Sequence, residues 1–290
     1  MLENYVIHIL ILICIYSIYS VSYNLALGYT GLINLAHISF IGIGAYTSAL
    51  LLRSGMPFIV GFLFAGIVAS FFGFFLVYST RKLKGDYLAL ATLGFAFVTY
   101  SILLNWTQLT RGALGLPGIG KPAFLGLSIG SNLEMLVLVF VVAVVCIVIM
   151  SRIIKSGFGR LMEAVRDDEI GLLVLGKDTF AIKAKAMMIS AFFAGIAGSL
   201  FASYISYIDP GTFYLSELIL ILTIVIVGGA ASIRGSIVGT IVVLLIPEVL
   251  RLFALPTSIL GPARLIVYAL VLIGILLYRP RGMYGRVDLV

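Results

Sequence analysis

The segment GLLVLGKD, Gly171–Asp178, comes within one residue of the phosphate loop G-x-x-x-x-G-K-[ST], the sharpest approach to catalytic chemistry in the chain. Its surroundings argue against that reading. The position whose hydroxyl would hold Mg²⁺ is Asp178, no apolar strand leads into Gly171, and the acidic run Asp167, Asp168 and Glu169 just upstream repels phosphate. The same run is the only acidic cluster, so no second one completes the two-metal centre that a lipid-linked pyrophosphate substrate requires. His8 and His37 are the only histidines, which excludes a H-E-x-x-H zinc site. Cys14 and Cys146 lie inside apolar runs and behave as small hydrophobes. The chain is therefore expected to be no enzyme and to hold no cofactor or metal of its own.

The elements that would carry these residues are spans of a membrane. Of 290 residues, 62% are hydrophobic and 11% charged, and the mean hydropathy is +1.20, far from a soluble domain's balance. A bilayer takes roughly 20 apolar residues per helix, and apolar runs at about 5–25, 31–52, 57–80, 86–105, 132–152, 186–207, 217–230, 236–254 and 263–279 predict nine spans. The expected fold is all-α, one polytopic membrane domain over 1–290 with a cytoplasmic segment at about 153–185. The first run opens with Glu3 rather than a basic stretch and is long enough to span, so it reads as a helix and not as a signal peptide.

The net charge of +7 comes from bases scattered over short connections, not from a basic face for nucleic acid. Arg81, Lys82 and Lys84, then Lys155, Arg160, Arg166, Lys177, Lys183 and Lys185, then Arg281 and Arg286 mark cytoplasmic segments. Threading the runs accordingly puts the N-terminus outside and the C-terminus in the cytoplasm, with Arg53 alone on the wrong side.

The block Gly159–Lys185 holds ten charged residues. As one helix it aligns Leu161, Val165, Leu172 and Leu175 on a narrow apolar stripe that Asp168 interrupts. Its acids and bases are too mixed for a helix lying on lipid, so it is expected to dock a soluble partner. Gly176 and the following Lys177 and Asp178 suit the end of that helix.

The stretches NLALGYTGLINLAHISFIGIGAYTSALL (24–51), GDYLALATLGFAF (85–97), EAVRDDEIGLLVLGKDTFAIK (163–183), ISAFFAGIAGSLFASYISYIDPGTF (189–213) and VGGAASIRGSIVGTIVVLLIPEVLR (227–251) resemble, in order, the permeases of branched-chain amino acid ABC importers, specifically the LivM-type subunit. The resemblance implies a prokaryotic cell-membrane importer. This chain would pair with a LivH-like permease, two cytoplasmic ATP-binding subunits that hold ATP and Mg, and an extracytoplasmic solute-binding protein. It also implies an EAA-type loop whose helix enters a cleft of the ATPase, carried over here to Glu163, Ala164, Arg166, Asp167, Asp168, Glu169, Gly176 and Lys183. Where the general signature has glycine, this chain has Glu169.

Two runs make poor ordinary helices. One carries Asn34, His37, Gly42 and Gly44 within a span; the other, GGAASIRGSIVG, places four glycines and Arg234 between apolar runs. Irregular backbone at membrane depth survives only inside protein or along a cavity, which makes Asn34, His37, Gly42 and Gly44 the candidates for a substrate pathway. One such break in each half of the chain hints at an internal repeat. Gly42, Gly44 and Gly94 equally suit close helix packing, and Glu248 suits a structural pair with Arg251. A small neutral or zwitterionic solute fits such a lining: branched-chain amino acids first, with urea, short amides or other amino acids as alternatives. A gradient-driven transporter is the remaining rival, but no span centres an acidic residue to couple an ion.

Overall fold

A computed structural model of the chain describes residues 2–124, 127–128, 130–252, 257–279 and 281–285. Helices follow the apolar runs: α1 (Leu2–Asn24), α2 (His37–Arg53), α3 (Phe58–Ser79), α4 (Gly85–Asn105), α5 (Thr107–Thr110), α6 (Asn132–Lys155), α7 (Gly157–Asp167), α8 (Glu169–Val174), α9 (Thr179–Ile205), α10 (Leu215–Gly228), α11 (Ile233–Leu252) and α12 (Thr257–Tyr278). Among the described residues, five helices are long and apolar enough to cross a membrane: α1 with its extension to Tyr29, α3, α4, α6 and α9. The chain is thus an all-α polytopic membrane protein. Arg286 lies outside the described residues.

Two expectations change. The run 31–52 is no continuous helix: α1 carries on through a π-turn at Leu25–Tyr29, residues 31–36 are irregular, and α2 begins only at His37. Nor is the charged block one helix. Asp168, at φ −151° and ψ 89°, leaves helical geometry, ends α7 and caps α8, its side chain accepting a hydrogen bond from the Gly171 amide at 2.9 Å. Leu172 is consequently buried while Leu175 turns outward.

Helix ends are marked by polar side chains where the chain leaves apolar surroundings. Ser131 and Glu134 form a reciprocal capping box at the start of α6, and Arg152 and Lys155 sit in its last turn. Asp178 caps α9 by accepting from the Ala181 amide at 3.0 Å. At the opposite end of α9 the turn-rich connection is pinned down: β1 (Leu116–Pro117) pairs antiparallel with β4 (Tyr207–Ile208), while β2 (Ala123–Phe124) and β3 (Leu127–Ser128) form a separate hairpin.

Helix α9 is the axis of the bundle, packing most extensively on α3 and α2 and also on α1. Lipid gives apolar helices no reason to associate, so close backbone approach must hold them, and small residues permit it. A Cβ at Gly44 would lie 2.3 Å from the Gly195 Cα, one at Gly198 would lie 2.1 Å from the Ile41 carbonyl oxygen, and one at Gly195 would lie 2.4 Å from the Ala65 carbonyl oxygen. Helix α9 is clasped between α2 and α3 at one level, with Gly195 touching both. Gly94, expected to serve the same end, faces open space. The N-terminal part of α1 adds polar ties: Tyr5 donates to Glu248, Tyr16 donates to Glu217, and His8 Nδ1 lies 2.6 Å from the Tyr204 hydroxyl. Glu248 is thus tied to α1, and the side chain of Arg251, its expected partner, lies outside what is described.

Replacing Gly195 by leucine must separate three helices, an overpacking cost of about 1–3 kcal/mol or more. The Gly195→Leu chain is expected to lose its monodisperse peak on size-exclusion in detergent, whereas Gly94→Ala keeps it; equal behaviour of the two contradicts the clasp.

Candidate functional site

Both irregular segments lie where α1 ends. The second one, Gly229–Ser232 between α10 and α11, bares backbone groups at the end of two apolar helices. Asn24, the last residue of α1, takes up three of them. Its Oδ1 accepts from the Ala231 amide at 2.9 Å, while Nδ2 lies 2.7 Å from the Ser236 Oγ, 3.2 Å from the Ser232 carbonyl and 3.4 Å from that of Gly229. Ser20, one turn earlier, extends the seam to Thr240 Oγ1 at 2.9 Å. The chain after α12 closes the other side: the Met283 and Tyr284 amides each donate at 2.9 Å to the carbonyls of Val227 and Gly228. Gly229 at φ +111° and Gly282 at φ +67° allow that approach, since a Cβ on Gly282 would lie 2.4 Å from the Ile226 carbonyl oxygen.

The first break is held from three directions. Thr92 of α4 accepts from the Leu35 amide at 3.0 Å, and Asn34, fully buried, accepts from the Ala36 amide at 3.0 Å while its Nδ2 reaches Met187 Sδ of α9 at 3.3 Å. Arg166 of α7 supplies the third contact. Its guanidinium Nη1 donates at 2.8 Å to the Gly28 carbonyl in the π-turn, and its stem covers Gly31, where φ is +71° and a Cβ would lie 2.9 Å from Arg166 Cγ. A residue of the charged block thus reaches the end of α1 and the start of the first irregular segment.

The rest of the block divides by burial. Glu169 lies 2.6 Å from Lys183 Nζ and 3.4 Å from Lys84 Nζ, and Thr179 donates to it at 3.2 Å, so α8, α9 and the α3–α4 connection are tied at one point. Partial burial works to raise its carboxyl, but the bond to Lys183 and the charges of Lys183 and Lys84 outweigh that and hold it below the usual carboxylate range. Gly176, at φ +72°, closes α8 with the two hydrogen bonds of a Schellman turn, Gly176 amide to Leu173 carbonyl at 3.0 Å and Lys177 amide to Leu172 carbonyl at 3.1 Å. Asp167 and Asp168 are exposed, Glu163 and Ala164 half-buried. Beside them stand four large apolar side chains turned outward, Ile170, Leu173, Val174 and Leu175, of which Val174 is 82% exposed.

The proposed pathway residues are all enclosed. His37 is fully buried, its Nε2 lying 3.2 Å from Ser22 Oγ, its ring against Tyr23, and its Nδ1 without a hydrogen-bond partner among the described residues. Gly42 lies against the Phe213 ring and Gly44 against Gly195. Sequence reasoning passed over Asn24 altogether, because an asparagine at the end of an apolar run looks like an interfacial residue; the one available signal was its spacing from Ser20, one helical turn away.

Leucine in place of Asn24 keeps the volume but leaves the Ala231 amide buried without an acceptor, a cost of about 1–3 kcal/mol. The melting temperature of Asn24→Leu in detergent is expected to fall well below that of Ser20→Ala; an unchanged midpoint contradicts the assignment.

Residues 5–278 match the family model described as branched-chain amino acid transport system / permease component. The chain is 35% identical over 263 residues to the high-affinity branched-chain amino acid transport system permease protein LivM of Escherichia coli, covering 82% of this chain and 62% of that protein. It thus spans less than two thirds of that relative's length. To the LivH permease of Escherichia coli it is 26% identical over 289 residues, covering 93% and 91%, and to the autoinducer 2 import system permease protein LsrC of that species 29% over 230 residues, covering 75% and 64%. No solved structure gives a significant match. With a family model matched over nearly its whole length, the chain belongs to the permease component family of branched-chain amino acid transport systems.

Proposed function

We propose that this chain is one permease half of an ATP-driven importer for branched-chain amino acids, beside a LivH-like permease, two cytoplasmic ATPases and an extracytoplasmic binding protein. It crosses the membrane nine times, with its N-terminus outside and its C-terminus in the cytoplasm. ATP and Mg belong to the ATPases; this chain performs no catalysis. In support of the sidedness, the three stretches whose bases the charge rule assigns to the cytoplasm pack on the same ends of their neighbouring helices: Lys84 lies against Glu169, Arg166 against Gly28 after α1, and Met283, next to the tail's Arg281, against Val227 at the end of α10.

The observation that carries the reading is the form of residues 157–176. They present Ile170, Leu173, Val174 and Leu175 to the outside, an apolar knuckle that a soluble protein must cover, and the same segment grips the first transmembrane break through Arg166. The knuckle and the charges Glu163, Asp167 and Asp168 meet the ATPase. Arg166, Glu169 and Lys183 face inward and pass on the movement, with Ala164 packed between and Gly176 ending the docking helix. Closure of the ATPase pair pulls this rigid knuckle, and the breaks, where no helical ladder resists bending, are where the bundle yields. Asn34 and His37, at the mouth of the first break, line the pathway once it opens, and Gly42 and Gly44 flank it. An uncharged, mostly apolar lining suits an aliphatic amino acid.

Co-expression with its ATPases tests this. The native chain is expected to retain them through purification, and Leu173→Asp with Val174→Asp, both at exposed positions, to weaken retention about tenfold or more without changing the permease's own elution. Full retention by the double variant contradicts the docking.

A further inference from the structure

Between α3, α6, α7 and α9 lies a groove of about 560 Å³ walled by Ile153, Phe158, Met188, Phe192 and Phe193, with the exposed Lys185 at its rim. None of the contacts described above accounts for it. Along α9 the lining runs from Lys185 to Phe193, about 12 Å of helix at 1.5 Å per residue, so the groove leads from a cation down into apolar wall. Arg152, Lys155 and Arg160, which adjoin Ile153 and Phe158 in sequence, are exposed as well. None of these four bases belongs to an ion pair among the described residues, where the pairs are Lys84 and Lys183 with Glu169 and Arg166 with Asp167.

We infer that this groove binds an anionic phospholipid, one acyl chain in the apolar slot and the phosphate at Lys185 and the neighbouring bases. A helix of a partner protein would cover the slot with apolar side chains but leave the bases without counter-charge; a zwitterionic lipid supplies a phosphate and cancels it. An anionic headgroup satisfies both parts, and the anionic lipids of the cytoplasmic leaflet lie at this depth. The inference rests on the cytoplasmic placement of residues 153–185 proposed above. It does not depend on what solute is transported, and the test reads lipid alone.

The full-length chain, purified in detergent containing equal amounts of dioleoyl phosphatidylglycerol and dioleoyl phosphatidylcholine, is analysed by native mass spectrometry for retained lipid. Phosphatidylglycerol is expected to be retained at least fivefold over phosphatidylcholine. Lys185→Gln with Arg160→Gln, both surface positions, brings that ratio close to one, and Met188→Trp, which fills the slot, lowers retention of both lipids. Equal retention of the two lipids by the native chain, or an unchanged ratio in the double variant, overturns the proposal. So does displacement of the lipid by glycerol phosphate alone, which would mark a simple anion site, or its loss when the second permease joins, which would make the groove a protein interface.

Discussion

Backbone that leaves the helical ladder inside a packed bundle must find its hydrogen bonds within the protein, and at the gap between α10 and α11 one carboxamide takes three of those groups. Asn24 both donates and accepts across the gap between α10 and α11. Because the groups it satisfies have no water to turn to, the end of α1 and the second break must stay together. Much else follows from that juxtaposition: Gly28 has no room for a side chain beside Ala231, the π-turn bends α1 past the contact, and the chain after α12 folds back to occupy the far side.

The bundle therefore has two firm parts with α1 between them. On one side α9 is held by α2 and α3 through backbone contact at Gly44, Gly195 and Gly198; on the other α10, α11 and the returning tail share the glycine contacts of Gly228, Gly235 and Gly282. Such contacts resist sliding, since any shift drives backbone into backbone. The irregular residues 31–36 and 229–232 carry no comparable ladder, and they are joined to α7 by Arg166 and to each other through Asn24 and the π-turn it precedes. On the proposed mechanism a pull on α7 is delivered to the Gly28 carbonyl, the point where a helix already departs from its regular bonding.

Much of this was legible in the residues themselves. Apolar length located the long helices, glycine and polar residues marked both irregular segments, and the mixed charge of residues 159–185 marked the stretch that holds the short helices α7 and α8. What periodicity could not give was the division of labour inside that segment. Arg166, Glu169 and Lys183 read as surface charges, yet each is drawn inward by a partner that local periodicity does not show: Arg166 by Gly28, Glu169 by Lys84, and Lys183 by Glu169 across the α8–α9 turn. Leu175 shared an expected apolar stripe with Leu172 but is exposed, because Asp168 caps a new helix rather than continuing the old one. Asn24 escaped notice for the same reason, its four partners lying more than 200 residues away.

The claim on which the account turns is that Arg166 carries motion from α7 to the irregular segment that follows α1. The direct measurement is the number of amino acid molecules imported per ATP hydrolysed by the assembled importer in proteoliposomes, native against Arg166→Gln. The account predicts that the variant assembles and hydrolyses ATP while imports per ATP fall about tenfold or more, within the range of ordinary coupling energies. An unchanged ratio, with transport and hydrolysis both intact, would contradict it.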